Sequence, residues 1–145
     1  MRPKLRISRF DHVCWVVWKI DDVLPLLKGL LGLEEVDRFR NEKQGYAGIT
    51  LSVPGSRTRI EVLEPISNDS FLVRFLQRRG PGLHHLTFEV EDVEEAAKAI
   101  SAFGIEPWGG VREDDGWAET FIHPKDSGGV LIQFYRYEDH SHEEG

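Results

Sequence analysis

The sequence predicts an α+β fold built from two tandem βαβββ modules whose strands form a curved mixed sheet. Three observations carry this prediction. First, Gly82-Leu83-His84-His85-Leu86-Thr87-Phe88-Glu89-Val90 restates Phe10-Asp11-His12-Val13-Cys14-Trp15-Val16-Val17; both are strand-type runs rich in β-branched and aromatic residues, each with a histidine near its start. Second, a polar Asp-Val signal and a helical pattern follow each run, and the helical patterns end on matching stops, Leu31-Gly32-Leu33-Glu34 and Phe103-Gly104-Ile105-Glu106. Third, further strand-type runs come after each stop. A chain of 145 residues is one domain in size, so the repeat divides a single domain, residues 1–145, into two halves.

Taken in order, residues 9–18 are rich in Val, Trp and Phe, as a strand covered on both faces would be. Asp21 or Asp22 can cap a helix carrying Val23, Leu24, Leu27, Leu30 and Leu31, with Pro25 in its first turn and Gly32 at its stop. Strands are expected at 34–41, 46–53 and 57–64, separated by Gln44-Gly45 and Pro54-Gly55-Ser56. Module one is thus 9–65. Residues 66–82 form a linker with a short helix-like stretch at 71–76 and the stop Arg79-Gly80-Pro81-Gly82. Module two, 83–138, repeats the order with a strand at 83–90, a helix from Asp92 to about Phe103, and strands near 105–112, 117–123 and 129–137. The polar tail 139–145 is expected to be flexible.

Composition excludes several classes. A formal charge of −7 and an isoelectric point near 5.4 oppose a nucleic-acid surface, which needs a clustered basic face. The single cysteine, Cys14, rules out an internal disulfide framework and fits a reducing, cytoplasmic setting. The basic start, Met1 to Arg6, leads into no apolar signal core, and no run approaches a membrane span.

The repeat has a chemical consequence. His12 and Glu61, on the first and fourth strands of module one, lie 49 positions apart; His85 and Gln133, on the corresponding strands of module two, lie 48 apart. Side chains alternate across a strand, so Arg59, Glu61 and Leu63 share one face, as do Leu131, Gln133 and Tyr135. Each module then offers one imidazole and one oxygen donor. Two imidazoles, a carboxylate and an amide oxygen make a mixed N/O site suited to Zn, Co, Ni, Fe or Mn, open to water or substrate. A lone strand histidine is more often structural, which is the reading for His84, His123, His140 and His142. Glu61 beside Arg59, or Gln133 bonding backbone, is unremarkable when taken alone; the matched spacing is what favours a joint metal role for His12, Glu61, His85 and Gln133.

With these residues in place, the chain resembles the vicinal oxygen chelate superfamily, whose members include glyoxalase I, extradiol dioxygenases, antibiotic-resistance proteins and methylmalonyl-CoA epimerases. The epimerase branch is most similar, through Ile60-Glu61-Val62-Leu63-Glu64-Pro65, the segment 70–77, Gly82-Leu83-His84-His85-Leu86, and His123-Pro124-Lys125-Asp126-Ser127-Gly128-Gly129-Val130-Leu131-Ile132. The resemblance implies the glyoxalase-like fold and a divalent-metal isomerase acting on methylmalonyl-CoA or a related acyl-CoA thioester. Such an enzyme removes the acidic proton between two carbonyls, passes through an enolate whose charge the metal stabilises, and returns a proton on the opposite face.

This chain departs from that pattern. The final-strand ligand, normally a glutamate that also acts as base, is Gln133, and the acidic position that epimerases can have in the third strand corresponds to Gly48. Glu61 is the remaining base candidate, so Glu61 and Gln133 form a pseudo-twofold exchange of the usual Gln and Glu. Anchoring the modules on Pro54 and Pro124 makes Ala118 the mate of Gly48 and turns Glu119 away. Arg74, Arg78, Arg79 and Lys125 are available to coenzyme A phosphates, though exposed cations are usually plain surface. Trp108 and Trp117 flank a glycine-rich acidic loop, 109–116, that can cover the site; packing is the commoner use of such indoles. Two alternatives stay open: a glyoxalase I-type lactoylglutathione lyase, and a non-catalytic small-molecule-binding or resistance protein of the same fold. An extradiol dioxygenase would want Glu at position 133. Exposed sheet edges favour a homodimer.

Overall fold

The structure, a computed structural model, describes residues 2–138. The tail 139–145, with His140 and His142, lies outside the described residues. The strands are β1 (Ile7–Val16), β2 (Glu34–Asn41), β3 (Tyr46–Ser52), β4 (Arg59–Pro65), β5 (Gly82–Val90), β6 (Trp108–Asp114), β7 (Trp117–Ile122) and β8 (Leu131–Tyr137). Two α-helices, α1 (Phe71–Arg79) and α2 (Val93–Phe103), join them, with 3-10 turns at Ile20–Asp22 and Pro124–Asp126 and a π-helical segment at Pro25–Leu30. Among the described residues no helix is long and apolar enough to cross a membrane.

Two compact units emerge, residues 12–84 and the residues from His85 onward together with those before His12. In the first, β2 pairs β3 and β3 pairs β4 antiparallel, while β4 pairs β1 in parallel. In the second, β6 pairs β7 and β7 pairs β8 antiparallel, while β8 pairs β5 in parallel. The pairing is the same in both, as the α+β prediction of a repeated module with mixed strands requires. The units and the modules differ at two places: the first unit takes in the linker 66–82 with Leu83 and His84, and the start of the chain falls in the second unit. The chain before His12 packs with module two, where Glu91 N donates to Arg6 O at 3.2 Å and Leu5 joins the apolar cluster under α2.

Module two follows its sequence signals closely. Asp92 caps α2 by accepting from Glu95 N at 3.0 Å, Glu94 and Glu95 complement the positive helix end, and Gly104 closes it at φ +110°. Val93, Ala96 and Ile100 form its apolar stripe, buried with Val90 and Phe134. Each fully buried aliphatic side chain of this kind stabilises by roughly 1.5–3 kcal/mol. Residues 109–116 are not a covering loop. Most of them belong to β6, and Asp115 (φ +46°) and Gly116 (φ +84°) make a two-residue turn into β7. Both residues at positive φ is the twist a tight hairpin needs, and Asp-Gly supplies it.

Module one lacks the α-helix expected after its first strand. Pro25 has no N–H to donate and Gly29 weakens helix propensity, and the turn closes with a wide bond from Leu31 N to Leu26 O at 2.9 Å. Leu27 is fully buried against Ile49, Leu51 and Val62, with Val23 and Leu24 beside it. Leu30 and Leu31, placed on the buried stripe from the sequence, are 76% and 54% exposed instead. On the other sheet face, α1 buries Leu72 and Leu76 against Cys14, Val16 and Leu63.

Candidate active site

The donors of module one sit on its parallel pair. Register sets Cys14 opposite Glu61 and Val16 opposite Leu63, so His12, Cys14 and Val16 share a face with Glu61 and Leu63. His12 Nε2 lies 3.6 Å from Glu61 Oε2, with the two side chains 13% and 24% exposed. The neighbouring Cys14 is sealed. Burial, with the charge of Glu61 adding to it, pushes its thiol far up, so it behaves as a small apolar residue and not as a nucleophile. His84 is built into the same packing: its ring meets Phe75 and Phe71 edge-on at 4.9 and 6.0 Å, and one of its nitrogens lies within 4.8 Å of the Cys14 sulfur. Burial, and then the charge of Arg79, hold its pKa below the ordinary histidine value.

Module two presents a polar version of this face. His85 is paired with Leu131 and Thr87 with Gln133. Thr87 Oγ1, fully buried, donates to Gln133 Oε1 at 2.9 Å, and Gln133 Nε2 donates to Glu119 Oε1 at 2.9 Å. Trp117 Nε1 donates to that same carboxylate oxygen at 2.8 Å. An ionised carboxylate can only accept, so these bonds fix which end of the Gln133 amide is oxygen and leave that oxygen a second lone pair. Further along, Tyr135 donates its hydroxyl proton to Asp11 at 2.8 Å, accepts from Arg9 at 2.9 Å, and stacks on Trp117 at a 4.5 Å centroid distance. Burial, the bond to Asp11 and its charge raise the Tyr135 phenol.

The expectation that Glu119 faces away is therefore corrected. Glu119 pairs with Tyr135 across β7 and β8, which puts it on the face of Gln133. The prolines misled because one residue fewer separates this position from Pro124 than separates Gly48 from Pro54. Glu119 is the functional candidate that sequence reasoning missed; the signal that would have found it is strand register.

The donor chemistry fits a divalent cation. Ligand bonds of about 2.0–2.2 Å put two neighbouring donors of one ion roughly 3–3.4 Å apart, close to the 3.6 Å between His12 and Glu61. His85 is partly buried at the head of β5, on the same strand face as Thr87. Arg74, Arg78, Arg79 and Lys125 are exposed, and Arg78 and Arg79 occupy the last turn of α1, where they complement the helix end. A cavity of about 470 Å³ beside the start of α2 has Glu91, Asp92, Glu94, Asp114 and Asp115 among its walls. It borders none of the predicted site residues, and its charge is the wrong sign for phosphates.

Comparison with known proteins gives a consistent picture. Residues 11–121 match the sequence model of the Glyoxalase/Bleomycin resistance protein/Dioxygenase superfamily. An ethylmalonyl-CoA/methylmalonyl-CoA epimerase of Cereibacter sphaeroides is 28% identical over 88% of this chain and 96% of its own. The crystal structure of methylmalonyl-CoA epimerase from Mycobacterium tuberculosis superposes with a TM-score of 0.79 at 30% identity, covering 96% of this chain and 94% of the other. A variant of the Streptomyces coelicolor methylmalonyl-CoA epimerase in complex with 2-nitronate-propionyl-CoA does so with a TM-score of 0.75 at 28% identity, covering 92% and 99%.

Proposed function

The chain belongs to the glyoxalase/bleomycin resistance protein/dioxygenase superfamily, and from that premise we propose that it is a divalent-metal-dependent epimerase of methylmalonyl-CoA or a related acyl-CoA. What most supports the reading is similarity over nearly the whole chain to epimerases, one of them solved with an acyl-CoA ligand. It is in keeping with a carboxylate, Glu61, held 3.6 Å from the His12 imidazole.

The reaction moves one proton. The hydrogen between the thioester and the substrate carboxylate leaves from one face of its carbon, and another arrives at the opposite face. Glu61 accepts the departing proton. Gln133 has no useful basicity at neutral pH and serves through its amide oxygen, oriented by Thr87 and Glu119. His12, Glu61, His85 and Gln133 would hold the cation. When bound, a divalent cation supplies positive charge where oxyanion charge develops, which lowers the barrier to proton loss. In this reading the enzyme is a cytoplasmic homodimer, supported for the oligomer by the exposed Leu26, Leu30 and Leu31 of module one.

The test is solvent-deuterium exchange into the α-carbon of methylmalonyl-CoA, with metal-stripped protein and with protein reloaded with cobalt. Exchange that depends on cobalt and is lost from one of the two epimers in Glu61→Gln is the expected result. No exchange, with turnover of methylglyoxal and glutathione instead, would replace the epimerase by the lyase.

A further inference from the structure

We propose that Glu119 is the second proton carrier, so that each module supplies one acid to the reaction; this rests on the epimerase reading above. Inversion at carbon needs a carrier for each face, and Glu61 provides one.

Register identifies where the other can stand. Glu61 and Gln133 are equivalent: each lies on the strand that runs parallel to its module's histidine strand, opposite Cys14 and Thr87 respectively two residues beyond that histidine. Leu63 and Tyr135 are then equivalent as well. Gly48 pairs with Leu63, and Glu119 pairs with Tyr135, so Gly48 and Glu119 occupy the same position of the module.

The two modules fill these paired positions in opposite ways. Module one carries Glu on β4 and Gly on β3; module two carries Gln on β8 and Glu on β7. Gly48 is no vacant slot, since a Cβ there would lie 2.5 Å from Phe39 Cζ and 2.6 Å from Leu63 Cδ2. A carboxylate on β3 is excluded by apolar packing. At the equivalent place in module two, the neighbours are donors. Trp117 Nε1 and Gln133 Nε2 both bind Glu119 Oε1 and hold the carboxyl on the face of the predicted ligands, while Oε2 accepts from neither.

The step balances. Glu61 as carboxylate takes the α-proton and becomes the acid as the C–H electron pair enters the enolate. Glu119 as acid gives a proton to the same carbon and becomes the carboxylate as the C–H bond re-forms. The opposite epimer runs the same path in reverse.

The test compares wild type, Glu61→Gln and Glu119→Gln in deuterium oxide, starting separately from (2R)- and (2S)-methylmalonyl-CoA, with cobalt affinity measured by calorimetry on each protein. Gln at 119 keeps an acceptor for both donors, so the Gln133 amide stays oriented and cobalt affinity is expected to be unchanged. Glu119→Gln is expected to lose epimerisation by about 100-fold or more while still exchanging the α-hydrogen of one epimer without inverting it. Glu61→Gln is expected to exchange the other epimer. Epimerisation by Glu119→Gln at the wild-type rate would overturn the assignment. Equal loss of exchange from both epimers would also overturn it, making Glu119 a positioning residue for Gln133. Wild-type protein that exchanges neither epimer would overturn the epimerase reading itself, and the assignment with it.

Discussion

The packing at Gly48 can be tested as a stability measurement on metal-free protein. Gly48→Ala places a methyl group 2.5 and 2.7 Å from Phe39 Cζ and Cε2 and 2.6 Å from Leu63 Cδ2. Leu63 is buried beneath α1 and cannot swing into solvent, while Phe39 packs at the margin of that cluster and edge-on to Tyr46. Overpacking of this kind costs about 1–3 kcal/mol. Replacing a strand glycine returns about 0.5–1 kcal/mol of backbone entropy, so a net loss of up to about 2.5 kcal/mol is expected. Two of the three close atoms belong to Phe39. In a Phe39→Ala background the same change should therefore cost less, with only the Leu63 contact left, and the double-mutant cycle should show a coupling of about 1 kcal/mol. Urea unfolding followed by fluorescence gives the numbers, with midpoints compared at constant m. A midpoint raised by Gly48→Ala, or lowered equally with and without Phe39, would refute the argument that this ring closes the position.

Two further outcomes can be checked on the same protein. Asp92→Ala removes the α2 cap and should destabilise by about 1 kcal/mol, with Asp92→Asn close to wild type; a thermal melt of the three proteins decides it. His84 is held below its ordinary value of 6.5 by burial and by Arg79. The unfolded chain then takes up a proton that the folded state resists, so His84 contributes stability above about pH 6.5 that is lost as pH falls below it. The pH series of urea midpoints should be flatter in this window for His84→Asn than for wild type; equal slopes would remove His84 as the cause.

Much of the fold was readable because its signals are local. The repeated histidine strands, the Asp92 cap and the Gly104 stop each act within a few residues, and each is found where it was expected. The first helix was misread because an apolar stripe of leucines outweighed Pro25 and Gly29 in the pattern, whereas in the fold Leu27 carries the burial and Leu30 stands in solvent. The proximity of His12 and Glu61 follows from the matched spacing of the two modules and the alternation of side chains along a strand. Glu119 did not, because its facing depends on how β7 is aligned with β8, and that alignment is set by the length of the connection through Pro124–Asp126 and not by any residue near Glu119. The bond from Trp117 to Glu119 was equally hidden, since an indole in a strand reads as packing until its partner is known.

The equivalence of Gly48 and Glu119 bears on how such a chain evolves. A protein descended from a duplicated module has two addresses for every functional group, one in each copy. A carboxylate can disappear from one copy and persist in the other without the chemistry being lost, provided the substrate can be met from the exchanged side. Column-by-column alignment with a relative sees only erasure at both places, and scores the lineage as decayed. Comparison folded about the internal repeat sets Gly48 beside Glu119 as equivalent positions. In this chain Phe39 fills the space beside Gly48, so an acid introduced there would have to displace a ring packed against the cluster of Cys14, Val16 and Leu63.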